Sequence, residues 1–239
     1  MHVTDKSYFE AMRFIDSFSE ESNILDEIEQ TLERAEEETP PYDEIQIKRL
    51  HNQALNSPRA LDYYKSRHIT MESIVKFQLG YSEKQDMITM PAHSPDGKVY
   101  YGFVGRSVEG KTFINTSGPW RGRTFFNFHR ARAFDTVYVV ESIIDAIRLD
   151  QMGIPAIAVL GNRISKKQIE LLTKHFNSVI LVKDSDDGGD VMEKRMVEKL
   201  GNRALIIGLP ARFHDVDDMT DEDIAELFRR TQDPILAIY

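Results

Sequence analysis

Residues 136–149 read TVYVVESIIDAIRL and residues 177–190 read NSVILVKDSDDGGD. In the first, a β-branched run (Val137, Val139, Val140) ends on the carboxylate Glu141 and passes at once into helical spacing. In the second, Val179, Ile180, Leu181 and Val182 lead into Asp184, Asp186 and Asp187, then Gly188 and Gly189. Short apolar runs bounded by turn residues are the signal of buried strands. A strand that runs into acids and a glycine turn carries those acids to the carboxyl edge of a sheet, where open α/β folds bind ligands. One stretch therefore predicts both an α/β fold and the place of its site.

Downstream of Thr136 the alternation continues, with strands expected over 136–140, 155–160, 178–183 and 203–208. Helices are expected over 142–152, 165–176, 189–200 and 221–231. Short links such as Gly153-Ile154-Pro155 suit βα repeats and a mostly parallel sheet flanked by helices. Upstream, PRALDYYKSR opens a helix with proline in its first turn. Thr70 caps the next helix, and Gly80 is expected to end it. MITMPA, KVYYGFVGR and KTFINT read as strands, the first two joined by the turn SPDG. Residues 5–38 have helical periodicity and an acidic far end, and a short helix is expected over 42–55. The predicted organisation is an acidic helical arm (1–56), a small α+β subdomain (57–133), a metal-binding α/β domain (134–220) and a C-terminal helix and tail (221–239).

The 239-residue chain has a formal net charge of −9 and 41% hydrophobic residues, the composition of a globular protein that does not coat nucleic acid by bulk charge. Charge is uneven, however: residues 98–132 are basic, with aromatics interleaved. Cys is absent, which removes disulfides, a thiolate nucleophile and Cys-type zinc sites, so no zinc is expected. No apolar run approaches a membrane span and the first residues do not read as a signal peptide. A cytoplasmic protein without a membrane partner is expected.

Asp184 and Asp186 are two apart, so in extended backbone they share a side. Paired carboxylates repel unless a cation sits between them, and a hard divalent ion with oxygen ligands resolves the repulsion. Glu141 ends a neighbouring strand, and FHDVDD adds Asp215, Asp217 and Asp218 after the last one. An isolated DxD is more often a turn than a metal site. What favours a metal-dependent phosphoryl-transfer site here is the recurrence of acids at successive strand ends.

The segments VVESIIDAIRLDQMGIPAIAVLG, VILVKDSDDGG and HDVDD resemble a Toprim domain, the metal-binding module of DnaG-type primases, topoisomerases and OLD-family nucleases. That resemblance implies metal-ligand roles for Glu141, Asp184, Asp186, Asp215 and Asp217, with Glu141, Asp184 and Asp186 catalytic. Ser142 departs from the usual glycine after the acid, and Lys183 precedes the DxD as a possible internal counter-ion. Upstream, ALDYYKSRHITMESIVKFQLGY, MITMPAHSPDGKVYYGFVGR and FINTSGPWRGRTFFNFHRA resemble, in order, the first half of the DnaG-type RNA polymerase core. The resemblance runs from about residue 58 to 220 and implies phosphate-binding roles, for nucleotide or template, for Arg67, Arg106, Asn115, Arg121 and Arg123. Lys111 sits one position before the family lysine. Arg130 and Arg132 are expected to be solvated surface charges, Phe125, Phe126 and Phe128 core residues, and the histidines show no metal-ligand spacing.

The resemblance implies a primase core that makes short RNA primers on single-stranded DNA from ribonucleoside triphosphates, with Mg²⁺ (or Mn²⁺ in its place) as cofactor. The alternatives are a Toprim nuclease, or a non-catalytic nucleic-acid-binding subunit of a replisome. A cysteine-free chain lacks the family's zinc ribbon, so a phage or plasmid variant, or an excised core, is expected in a bacterial or phage-infected cell. Template choice would then fall to a replicative helicase or a separate template-recognition protein.

Overall fold

The computed structural model describes residues 41–110, 112–161, 164–183, 196–210 and 212–232. The expected helical arm over residues 5–38, the DxD at Asp184 and Asp186, Lys111, the first part of the helix expected over 189–200, and the tail after 232 lie outside them.

Helix α1 (Glu44–Leu55) starts where the Asp43 carboxylate accepts the Ile45 N–H at 2.8 Å. It buries Ile47, Leu50 and Ala54, spaced three and four apart, against strand β1 (Gly80–Ser82). Helix α2 (Pro58–Ser66) begins on Ser57 with proline in its first turn, and α3 (Met71–Lys76) on Thr70, whose hydroxyl accepts the Ser73 N–H at 3.2 Å. Gly80 does not end α3, contrary to expectation. The chain turns at Gln78, which takes a left-handed φ of 51°, and Gly80 is the first residue of β1. What Gly80 supplies is room: a Cβ there would lie 2.4 Å from Thr89 Oγ1 and 3.0 Å from the Leu50 backbone.

Strands β1, β2 (Met87–His93), β3 (Tyr100–Ser107) and β4 (Phe113–Asn115) form an antiparallel sheet in chain order, with Met90 opposite Val104 and Arg106 opposite Phe113. The SPDG turn joins β2 to β3, with Gly97 at φ +76° and the Ser94 hydroxyl donating to Asp96 at 2.6 Å. A 3-10 turn (Pro119–Arg123) and helix α4 (Phe128–Ala131) follow. Between them, Phe126 bridges to Ala158 by two backbone hydrogen bonds of 3.0 and 3.3 Å, fastening this segment to the second sheet.

That second sheet is parallel: β5 (Thr136–Val140), β6 (Ala156–Ala158), β7 (Ser178–Lys183) and β8 (Ala204–Gly208), in the order β6-β5-β7-β8. Both faces are apolar, as parallel sheets require. Tyr138, Val140, Ile180 and Val182 face one core, shared with α2, α3 and the antiparallel sheet. Val137, Val139, Val179 and Leu181 face the other, with Phe125, Phe128, Leu172 and Phe176. Helix α5 (Ile143–Gln151) follows β5, α6 (Lys166–His175) precedes β7, residues 196–200 are helical, and α7 (Asp221–Gln232) packs Phe228 edge-on against Tyr138 at 4.9 Å. Ser165 and Gln168 form a full capping box at the start of α6. The expected α/β architecture, a parallel sheet preceded by a small antiparallel unit, is the observed one. None of the described helices is long and apolar enough to cross a membrane.

Candidate active site

With strand order β6-β5-β7-β8, the chain leaves β5 to one side for β6 and returns to the other for β7. The switch point of this α/β sheet therefore lies at the carboxyl ends of β5 and β7. Glu141 is the first residue past β5 and Lys183 the last of β7, in parallel strands whose register pairs Val139 with Leu181. Ser142 caps α5, its hydroxyl accepting the Ile144 N–H at 3.2 Å, which gives a local reason for serine in place of glycine.

Above that edge stands one face of the antiparallel sheet. Side chains alternate along a strand, so Val104 and Arg106 of β3 share a face with Phe113 and Asn115 of β4, in cross-strand pairs. With Arg121 from the 3-10 turn they enclose a cleft of about 520 Å³ whose other wall is Glu141, Ser142 and the end of β6. The Arg121 carbonyl accepts from Gln168 Nε2 at 3.1 Å, which ties the turn to α6. The Arg106 guanidinium lies 5.5 Å from the Phe113 ring centre, and its buried Nε has no hydrogen-bond partner among the described residues. Among the described residues the cleft thus unites one carboxylate, two guanidiniums and an amide over an apolar floor of Met90, Val104 and Ile144.

Two expected phosphate binders lie elsewhere. Arg123 does not line the cleft; its guanidinium sits 5.8 Å from the ring centre of Tyr101 on β3. Arg67, at the end of α2, gives Nη1 to Asp217 Oδ2 at 2.5 Å. Burial works against its charge, but the hydrogen bond and charge of Asp217 outweigh it and leave the pKa raised. Asp217 is buried, and its N–H donates to Asp145 Oδ1 at 2.9 Å. Asp215 caps the 3-10 turn Val216–Asp218, accepting the Asp218 N–H at 3.0 Å. Burial first, then the neighbouring Asp218 charge, raises its pKa.

Asp145 and Arg148 carried no expectation, yet both are fully buried on α5. Arg148 donates to the Met219 carbonyl and to Asp221, each at 2.8 Å, so α5 holds the acidic loop 215–221 from beneath. The available signal was two charges in the otherwise apolar run IIDAIRL. Arg130 corrects another expectation: it is half-buried, donating to the Lys76 carbonyl at 2.6 Å with its guanidinium 5.2 Å from the Phe77 ring centre, whereas Arg132 is exposed. Phe125, Phe126 and Phe128 are core residues, as expected.

Among the described residues no three His, Cys, Asp or Glu side chains form a group that could hold a metal ion. Among the described residues Glu141 is the acid that lines the cleft, and the sequence after Lys183 continues Asp-Ser-Asp-Asp. Oxygen donors at two adjoining strand ends are the donor chemistry a hard divalent ion takes.

A family profile described as Toprim-like matches residues 138–220. A DNA primase of Synechococcus elongatus is 27% identical over 209 residues, covering 64% of this chain and 30% of that protein. The chain spans less than half the length of the curated primases it matches. The solved zinc-binding and RNA polymerase domains of Aquifex aeolicus primase align with a TM-score of 0.66 at 24% identity, covering 77% of this chain and 58% of that one. A DnaG primase catalytic domain bound to single-stranded DNA aligns with a TM-score of 0.64 at 21% identity, covering 78% of each chain.

Proposed function

The chain carries a Toprim-like domain in the fold of a DnaG-type primase core, and from that premise we propose that it makes short RNA primers on single-stranded DNA by Mg²⁺-dependent nucleotidyl transfer. The observation that carries this reading is the cleft itself. Glu141, Arg106, Asn115 and Arg121, on separate elements, line a single cavity at the switch point of the parallel sheet. A nuclease needs the acids; a polymerase also needs cations placed to take a triphosphate, and Arg106 and Arg121 line this cleft.

In this reading Glu141, Asp184 and Asp186 hold Mg²⁺, or Mn²⁺ in its place. The bound ion neutralises phosphate charge and lowers the pKa of the attacking 3′-hydroxyl. Arg106 and Arg121 grip phosphate oxygens of the incoming ribonucleoside triphosphate, a task suited to the planar, permanently charged guanidinium. Asn115 donates its amide to the same phosphates or the sugar, and Met90, Val104 and Ile144 keep the floor dry. Asp215 and Asp217 act from the next loop, where Arg67 holds Asp217 in place. Arg123 meets the template outside the cleft. Template choice falls to a replicative helicase or a separate template-recognition protein, in the cytoplasm of a bacterial or phage-infected cell.

The test is a gel assay with labelled ribonucleotides, single-stranded templates and Mg²⁺. Short RNA products are expected, lost on chelation and in Glu141→Gln. Metal-dependent breakdown of nucleic acid without nucleotides, and no synthesis on any template, would instead identify a nuclease. Unchanged complementation by Asp184→Asn with Asp186→Asn would mark a non-catalytic subunit.

A further inference from the structure

The aromatics of the basic segment range from buried to exposed, with Tyr100, Tyr101 and Phe103 between the extremes. Trp120, Phe125, Phe126 and Phe128 are at most 2% exposed, whereas Phe113 is 56% exposed. A lone exposed phenylalanine is ordinary; this one lines the cleft that holds Glu141. Directly across from it on β3 is Arg106, whose guanidinium lies 5.5 Å from the ring centre. Two residues along the same strand, on the same face, is Asn115.

We infer that Phe113 is a stacking platform for a base of single-stranded nucleic acid. The inference rests on the polymerase reading of the cleft and adds a base-contact residue to it. A solvent-exposed aromatic ring accepts any base on its open π-face, whatever the base's identity. The occupant is the template rather than the incoming nucleotide because of where the ring sits. On the edge strand β4 exposure is greatest at Phe113 and Ile114 and falls at Asn115, while Glu141 is half-buried on the opposite wall. The triphosphate belongs beside the acid, and a ring at the rim meets a strand on its way in. A duplex cannot use this platform, since its bases are already stacked on each other.

Fluorescence anisotropy on the full chain, in Mg²⁺ at fixed low salt, provides the test. The probes are labelled oligothymidylate and an abasic oligomer of equal length and charge. Wild type is expected to bind the thymidylate strand about tenfold more tightly than the abasic one, the range of a single base–aromatic stack. Phe113→Ala is expected to abolish that preference while keeping abasic binding unchanged. Phe113→Trp is expected to restore it, with tryptophan emission quenched by thymidylate and not by the abasic strand; the buried Trp120 adds a constant background. Retention of the preference in Phe113→Ala overturns the inference, as does quenching of the Phe113→Trp protein by a ribonucleoside triphosphate alone. A wild-type chain that binds neither oligomer fails the polymerase reading as well.

Discussion

Replacing Arg67 by Ala removes the cation that holds Asp217. The Asp217 side chain is only 6% exposed and that of Arg67 is 34% exposed, so the pair is buried on one side and wetted on the other. Breaking a fully buried pair costs about 3–5 kcal/mol, because the remaining charge is stranded. A surface pair contributes about 0–1 kcal/mol. Water reaching the Arg67 side places this pair between the two, near the 1.5–3 kcal/mol of a hydrogen bond to a charged group. We expect Arg67→Ala to destabilise the chain by about 2 kcal/mol, which for a domain of this size lowers Tm by about 4–8 °C. A double-mutant cycle in urea with Asp217→Asn isolates the pairwise part, expected at about 1–2 kcal/mol. Arg67→Lys should recover only some of the loss, since the ammonium keeps the charge but not the guanidinium's place 5.7 Å from the Tyr63 ring centre. A coupling below about 0.5 kcal/mol would refute the argument, for it would mean that Asp217 is held by its bond to Asp145 and not by Arg67.

Three further outcomes follow from the packing. Gly80→Ala should destabilise the chain by about 1–3 kcal/mol in urea denaturation, because the new methyl overlaps Thr89 and the α1 backbone. Tyr64→Phe should cost about 1–3 kcal/mol in the same assay, since the Gly80 carbonyl loses the buried hydroxyl that meets it at 2.8 Å. His93 and His129 stack at 4.3 Å, and burial first, then nearby positive charge, lowers their pKa values to about 4 and about 3. The folded chain therefore keeps both neutral while the unfolded chain takes up protons below its ordinary value of about 6.5. Stability from this source is full above about pH 6.5 and falls as the pH drops towards 4. The urea midpoint of a His93→Phe, His129→Gln double variant should decline less over that window than wild type; an equal decline would contradict the assignment.

Much of the fold could be read from residue patterns alone. The apolar runs of β5 and β7, the caps at Thr70 and Ser165, and the SPDG turn are local signals, and each element formed where its signal lay. What escaped depended on tertiary neighbours. Gly80 looked like a helix stop, but its need for room arises only once α1 lies across β1. Arg121 and Arg123 looked like a matched pair. In a 3-10 turn, with three residues per turn, side chains two apart point about 120° away from each other, so one enters the cleft and the other reaches Tyr101. Arg130 read as a surface charge until Phe77 provided an aromatic face for it. Asp145 and Arg148 were hidden by the apolar residues around them, since helical spacing does not reveal that a whole helix is covered.

The central claim is that acids from adjoining strand ends hold a divalent cation at the sheet's carboxyl edge. The most direct measurement is anomalous scattering from a crystal of this chain soaked in Mn²⁺. The account predicts a peak within about 2.3 Å of carboxylate oxygens of Glu141 and of Asp184 or Asp186. A fully occupied ion bound elsewhere, with Glu141 turned away from both aspartates, would contradict it.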